Sequence, residues 1–247
     1  MRDQFLLDPN VVFLNHGSYG ATPRIVFERY QAWQLELEHQ PVDFIGRRAK
    51  DLLQNAREKL ANYFHACPEN LVYMTNVTVA LNAVARSLQL NPDDEVLTTD
   101  QEYGAMNRMW RFSSGKQGFK YINVPINLPV TTPENYIADL WKGVTDHTRV
   151  IFLSHISSPT SIIAPIREIC RKAREQGILT VIDGAHVAGQ LPLDLEDLGA
   201  DFYGGNLHKW LCAPKGAGFL YAAPQVQHLL ESLVVSFGWE SDAPGPS

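Results

Sequence analysis

From about residue 70 onward, strand-like apolar runs alternate with amphipathic helical stretches, and this alternation constrains the fold more than any other feature of the chain. Strands are expected at Leu71–Thr75, Glu95–Thr99, Phe119–Pro125, Arg149–Ser154, Leu179–Asp183, Ala200–Gly204 and Gly218–Ala222. Several are unbroken runs of Val, Ile, Leu and Phe, the pattern of strands covered on both faces of a parallel sheet. Helical patterns fall between them, near Thr78–Leu88, Tyr103–Gly115, Pro133–Gly143 and Pro165–Gln176. The last opens on Pro and stops at Gly177, the asymmetry that helix termini favour. The prediction is an α/β fold, a mostly parallel sheet with flanking helices.

The first 70 residues read differently. Phe13–Tyr19 is a short apolar segment leading into a Gly-rich turn, and helices are expected over Arg24–His39 and Phe44–Phe64, split by Gln40-Pro41. The expected organisation is an N-terminal arm and helices over 1–70, an α/β domain over 71–239, and a flexible tail or truncation point over 240–247. The formal net charge of −6 argues against nucleic acid as the main partner, because a phosphate backbone calls for a basic face. No stretch reaches the roughly 20 apolar residues of a membrane span, and the first ten residues do not read as a signal peptide. Cys67, Cys170 and Cys212 are odd in number and widely spaced, so neither a disulfide framework nor a CxxC metal site is expected. A reducing, cytoplasmic compartment is the simplest expectation, with the thiols structural.

Two polar residues stand at the ends of strands. Asp183 directly follows a buried strand, which places it at the carboxyl edge of a parallel sheet, where such folds bind ligands. Read alone, Asp183-Gly184 is a turn and His186 a polar residue at a helix start. Both could be metal ligands, but no third has matching spacing. Lys209 follows the next strand by a short loop, one helix and one strand beyond Asp183. Alone it is a solvated charge. Together the two meet the needs of one cofactor, pyridoxal 5′-phosphate (PLP), which requires an amine for a Schiff base and a carboxylate to keep its pyridine nitrogen protonated. The phosphate needs an anion site, and Thr75-Asn76-Val77-Thr78 sits between a strand and a helix, where unpaired N–H groups and the dipole favour an anion. Thr78 is expected as both N-cap and phosphate ligand, although Asn76 and Thr78 could merely cap the helix. Tyr103 follows the second strand and could lay its ring on the pyridine.

Five segments then occur in order: Asn15-His16-Gly17-Ser18-Tyr19-Gly20, Thr75-Asn76-Val77-Thr78, Glu102-Tyr103-Gly104-Ala105, Asp183-Gly184-Ala185-His186 and His208-Lys209-Trp210. Together they resemble the class V aminotransferases, fold-type-I PLP enzymes, and Leu-Asn-His-Gly-Ser-Tyr-Gly resembles their isopenicillin-N-epimerase-like branch. The similarity runs from about Phe5 to Trp239. The resemblance implies the large domain of that fold, with PLP as cofactor and Lys209 as the Schiff-base lysine. Asp183 would partner the pyridine nitrogen, His186 the ring hydroxyl, and Tyr103 would stack. Val77 and Thr78 would bind phosphate through N–H groups and a hydroxyl, with Asn206 on the same phosphate. His208 would assist proton transfer or orient the loop, and His16 and Ser18 would close the substrate side.

The implied activity is chemistry at the α-carbon of an amino acid, epimerase- or aminotransferase-like, in a homodimer. A PLP-dependent C–S lyase is the alternative, ahead of a cysteine desulfurase, and a non-catalytic PLP-fold fragment is the contrasting reading. Two departures stand out. Ser157-Ser158-Pro159-Thr160 occupies the place where relatives carry an Asn near the ring oxygen. The family also continues into a smaller C-terminal domain with an arginine for the substrate carboxylate, so a fragment is expected here.

Overall fold

In a computed structural model, which describes residues 2–236 and Trp239, seven strands form one sheet: β1 (Leu71–Met74), β2 (Glu95–Thr99), β3 (Lys120–Val124), β4 (Thr148–Ser154), β5 (Leu179–Asp183), β6 (Phe202–Asn206) and β7 (Gly218–Ala222). Their spatial order is β1-β7-β6-β5-β4-β2-β3. β3, β2, β4, β5 and β6 run parallel, and β7 is antiparallel to both β6 and β1. The carboxyl ends of β1, β2, β4, β5 and β6 therefore share one edge of the sheet. The register brings Ser154 opposite Asp183 and Asp183 opposite Gly204, while Asn206 and Met74 both pair with Gly218. That edge is where the candidate site forms.

The helices are α1 (His16–Tyr19), α2 (Arg24–His39), α3 (Pro41–Asp43), α4 (Ala49–Tyr63), α5 (Val77–Ser87), α6 (Gly104–Gln117), α7 (Pro133–Trp141), α8 (Ile166–Glu175) and α9 (Leu195–Leu198). The core lies between sheet and helices. β2, β5, β6 and β7 bring Val96, Leu97, Val181, Ile182, Phe202, Phe219 and Leu220 into it, almost fully buried. α8 contributes Ile166, Ile169, Cys170 and Ala173, a stripe at helical spacing with its basic residues turned outward. Each buried isoleucine is worth about 1.5–3 kcal/mol. α5 is buried on most of its surface and packs on β6 and β7.

Glycines make that packing possible. A Cβ at Gly204 would lie 2.9 Å from Val77 Cγ2, and one at Gly205 would lie 2.3 Å from the Phe219 ring. These two bare positions on β6 admit the first turn of α5 on one side and the Phe219 ring on the other. The sequence pattern ended this strand at Gly204; the structure begins it later and carries it on to Asn206, because β7 continues the ladder through Gly205 and Asn206. Asp201, expected inside the strand, instead ties its entrance to β5 by accepting from Thr180 N and Oγ1 at 2.8 and 2.9 Å.

The helix expected over Phe44–Phe64 is a π-helical turn at Phe44–Arg48 followed by α4. The short α1 and α9 and a 3-10 segment at Pro224–Leu229 had no periodic signal long enough to read. The expected tail over 240–247 lies outside the described residues.

Candidate active site

A cavity of about 330 Å³ opens at the carboxyl edge of the sheet. Nine of the ten residues singled out from sequence line it: Ser18, Val77, Thr78, Tyr103, Asp183, His186, Asn206, His208 and Lys209. They arrive from the arm, β5, β6 and the loops after β1, β2, β5 and β6.

Asp183 ends β5, is 3% exposed, and accepts the Ala185 N–H at 2.9 Å. Burial pushes its carboxyl up to about 6, against the opposing effects of the Ala185 bond and the Lys209 charge. Lys209 is half-buried, and burial moves its amine below the usual lysine range while Asp183 opposes that shift. Lys209 Nζ lies 3.4 Å from His186 Nε2. Burial first, then the Lys209 charge, lowers the His186 imidazole to about 4, so it is neutral at neutral pH. On its other side, His186 Nδ1 accepts the Trp210 indole N–H at 3.2 Å.

The end of the cavity at α5, expected from sequence to take the phosphate, is built differently from that expectation. Asn76, not Thr78, caps α5: its Oδ1 accepts the Val79 N–H at 2.9 Å. The extended backbone of Asn76 suits an N-cap, whereas Thr78 is already inside the first helical turn. Val77 N–H is also committed, donating to Asn206 Oδ1 at 2.9 Å. An N–H can only donate, so the Asn206 amide is fixed with Oδ1 toward Val77, and its Nδ2 donor remains for the cavity it lines. Thr78 N–H takes no acceptor among the described residues. Thr78 N–H, its hydroxyl and Asn206 Nδ2 are thus the donors at this helix N-terminus.

His208 Nδ1 lies 3.0 Å from Ala217 O. A carbonyl only accepts, so Nδ1 carries the proton, and the ring ties the lysine loop to the start of β7. Tyr103 sits just before α6 and is 45% exposed. Ser18 closes a reciprocal cap with Asn15, whose Oδ1 accepts the Ser18 N–H and whose Nδ2 donates to Ser18 Oγ.

His16 is the exception, for it does not line the cavity. Its ring stacks on Trp210 at 5.9 Å between centroids and is met edge-on by Phe5 and Phe13. Nor is the arm loosely placed. Gly20 has φ +69, and a Cβ there would lie 2.0 Å from the His208 carbonyl oxygen, so the arm backbone lies directly on the lysine loop. The serines at the position where relatives carry an Asn divide: Ser158 lines the cavity, while Ser157 Oγ donates to Gln101 O at 3.0 Å.

Sequence reasoning passed over Glu102. It is buried, and its carboxylate accepts from Thr99 Oγ1 and Ser154 N at 2.8 and 2.7 Å, bracing the ends of β2 and β4 beneath the site. Burial pushes it up to about 7. Its signal was its place directly before Tyr103 in a run of polar residues. Among the described residues, no cluster of three or more His, Cys, Asp or Glu could hold a metal ion, and no helix is long and apolar enough to cross a membrane.

An amine beside a buried carboxylate, a neutral imidazole and a helix N-terminus is a donor set that matches PLP group by group. The sheet and this edge define the large domain of a fold-type-I PLP-dependent transferase. The chain belongs to the class V aminotransferase family, whose model, "Aminotransferase class-V", matches residues 20–238. It is 41% identical to the isopenicillin N epimerase of Streptomyces clavuligerus, over 97% of this chain and 60% of that protein. It is 30% identical to the L-cysteine desulfhydrase-like protein lolT2 of Epichloe uncinata, over 97% of this chain and 53% of that one. A solved structure of a lysine-to-alanine mutant of C-DES, with glycine covalently linked to its PLP cofactor, superposes with a TM-score of 0.88 at 25% identity, covering 100% of this chain and 66% of the other. The chain thus spans about 60% of the length of the epimerase it matches.

Proposed function

We propose that the protein is a PLP-dependent enzyme acting at the α-carbon of an amino acid, with Lys209 holding the cofactor covalently. The observation that carries this reading is the convergence of Lys209, buried Asp183 and His186 on one cavity with the N-terminus of α5. When bound, PLP supplies an electron sink for charge that develops at the substrate's α-carbon. Asp183 would hold a proton on the pyridine nitrogen, since a cation beside it favours its carboxylate form against burial. Thr78 and Asn206 would donate to the phosphate, His186 Nε2 would meet a ring oxygen, and Tyr103 would cover one ring face. Lys209, moved below the usual lysine range by burial, is suited to take and return a proton at the α-carbon.

Epimerase- or aminotransferase-like chemistry is supported by the similarity to isopenicillin N epimerase. A C–S lyase is the second reading, supported by the desulfhydrase-like relative. Among the described residues no cysteine lines the cavity, and burial raises the Cys170 and Cys212 thiols, the former to about 12, so persulfide-forming desulfurase chemistry would need a cysteine from elsewhere. The free cysteines support a reducing, cytoplasmic setting, and the family resemblance supports a homodimer, which sedimentation equilibrium tests.

The deciding experiment is an absorbance scan with added PLP, before and after borohydride, with mass mapping of the product. A reduced adduct on Lys209, absent in Lys209→Ala, is expected; an adduct that persists in Lys209→Ala overturns the assignment. Racemisation of an amino acid in deuterated water, against sulfide release from cysteine, then separates the two readings.

A further inference from the structure

We propose that Trp210 is a positioning residue that fixes His186 in the tautomer protonated on Nε2, so that the imidazole presents a donor to the cavity. An indole N–H donates and never accepts, and Trp210 Nε1 lies 3.2 Å from His186 Nδ1. Nδ1 must therefore offer its lone pair. A neutral imidazole carries one proton, which is left to Nε2, the nitrogen 3.4 Å from Lys209 Nζ. The opposite tautomer would set two N–H groups face to face across 3.2 Å.

Trp210 is held for this task. His16 stacks on it at 27° between planes, and Phe5 and Phe13 hold His16 edge-on. The arm residue expected at the substrate thus supports the ring that orients His186. Burial keeps the imidazole neutral down to about 4, so a single proton is present to be placed.

Two consequences follow for the cavity. A Lys209 ammonium would set its own N–H against the Nε2 proton, so the fixed tautomer favours the uncharged amine, the form that attacks a carbonyl. An anionic oxygen beside His186 would receive a hydrogen bond. Identifying that oxygen with the PLP ring hydroxyl rests on the function proposed above; the tautomer does not.

The test is a long-range proton–nitrogen correlation spectrum of the 247-residue chain, labelled with ¹⁵N-histidine and free of cofactor, at neutral pH. His186 is assigned by the signals lost in His186→Gln. A protonated, pyrrole-type Nε2 and an unprotonated, pyridine-type Nδ1 are expected. Trp210→Phe keeps a ring for His16 but deletes the donor, and the two nitrogen shifts should converge as the tautomers interchange. A proton on Nδ1 in the unmodified protein overturns the proposal, as does a Trp210→Phe spectrum unchanged from it. If Trp210→Phe fails to fold by circular dichroism, the unmodified protein decides through its Nδ1 signal and a hydrogen-bonded Trp210 indole proton. Adding PLP afterwards separates the claims: the expected tautomer without a Lys209 adduct defeats the cofactor reading alone, and an adduct with the other tautomer defeats the role of Trp210 alone.

Discussion

Asp183 is a carboxyl group placed where an isolated chain gains nothing from its charge. It is 3% exposed, its hydrogen-bond donor is the Ala185 N–H, and burial moves it from 3.8 up to about 6. A raised native pKa means that the folded state binds the proton more tightly than the unfolded state. The burden is therefore absent below the unfolded value, grows between 3.8 and about 6, and is full above it, at about 3 kcal/mol. Asp183→Asn, which keeps an acceptor for Ala185, should raise the stability of the cofactor-free protein by about 2–3 kcal/mol above pH 6 and by little in strong acid, measured by urea unfolding. The same change should slow turnover severely, a trade of function against stability. A lower urea midpoint at neutral pH would show that Lys209 already compensates the charge. The places of Asp183 and Lys209 were legible in the sequence because one ends a strand and the other follows one closely, and a strand end fixes an address on the sheet. His16 was not: its place depends on Phe5, Phe13 and Trp210, the last nearly two hundred residues away.

The element that supplies Val77 and Thr78 to the cavity is α5, and its position depends on what β6 lacks. With no side chain at Gly204 and Gly205, Val77 and Phe219 approach the strand from opposite faces. Gly205→Ala should destabilise by about 1–3 kcal/mol through overpacking, read as a shift in the urea midpoint. Phe219 cannot easily yield, because it is 1% exposed and stacked against Tyr203. Gly204→Ala presses on the first turn of α5 instead, and titration should show weaker PLP binding as well as lower stability. Short runs rich in apolar and β-branched residues made β2, β5 and β7 readable to the residue. A Gly-Gly pair reads locally as a loop, and only packing against α5 and β7 makes it strand. The cap of α5 was misread for a related reason: Asn76 and Thr78 are both competent caps in sequence, and the choice follows from the extended backbone at Asn76.

At the scale of the whole molecule, burial is uneven. α2 has no buried residue, and Ile25, Leu35, Val42 and Ile45 are each more than 60% exposed, whereas β4 buries all but one of its residues. Amide hydrogen exchange should therefore show β4 and β5 opening only with global unfolding, and α2 exchanging through much cheaper local openings. Equal protection in α2 would mean that another surface covers it in solution. The placement of β7 has a consequence for how such a chain is born. Among the described residues β1 has no strand neighbour other than β7, which follows it by nearly 150 residues. On a ribosome, β1 emerges early and waits for its partner, on the order of ten seconds at ordinary elongation rates. The helix it leads into, whose N-terminus lines the cavity, rests on β6 and β7 and waits with it. The cleft thus cannot assemble before β7 has emerged, and a vitamin-derived ligand present during synthesis would meet its walls only once that strand is in place.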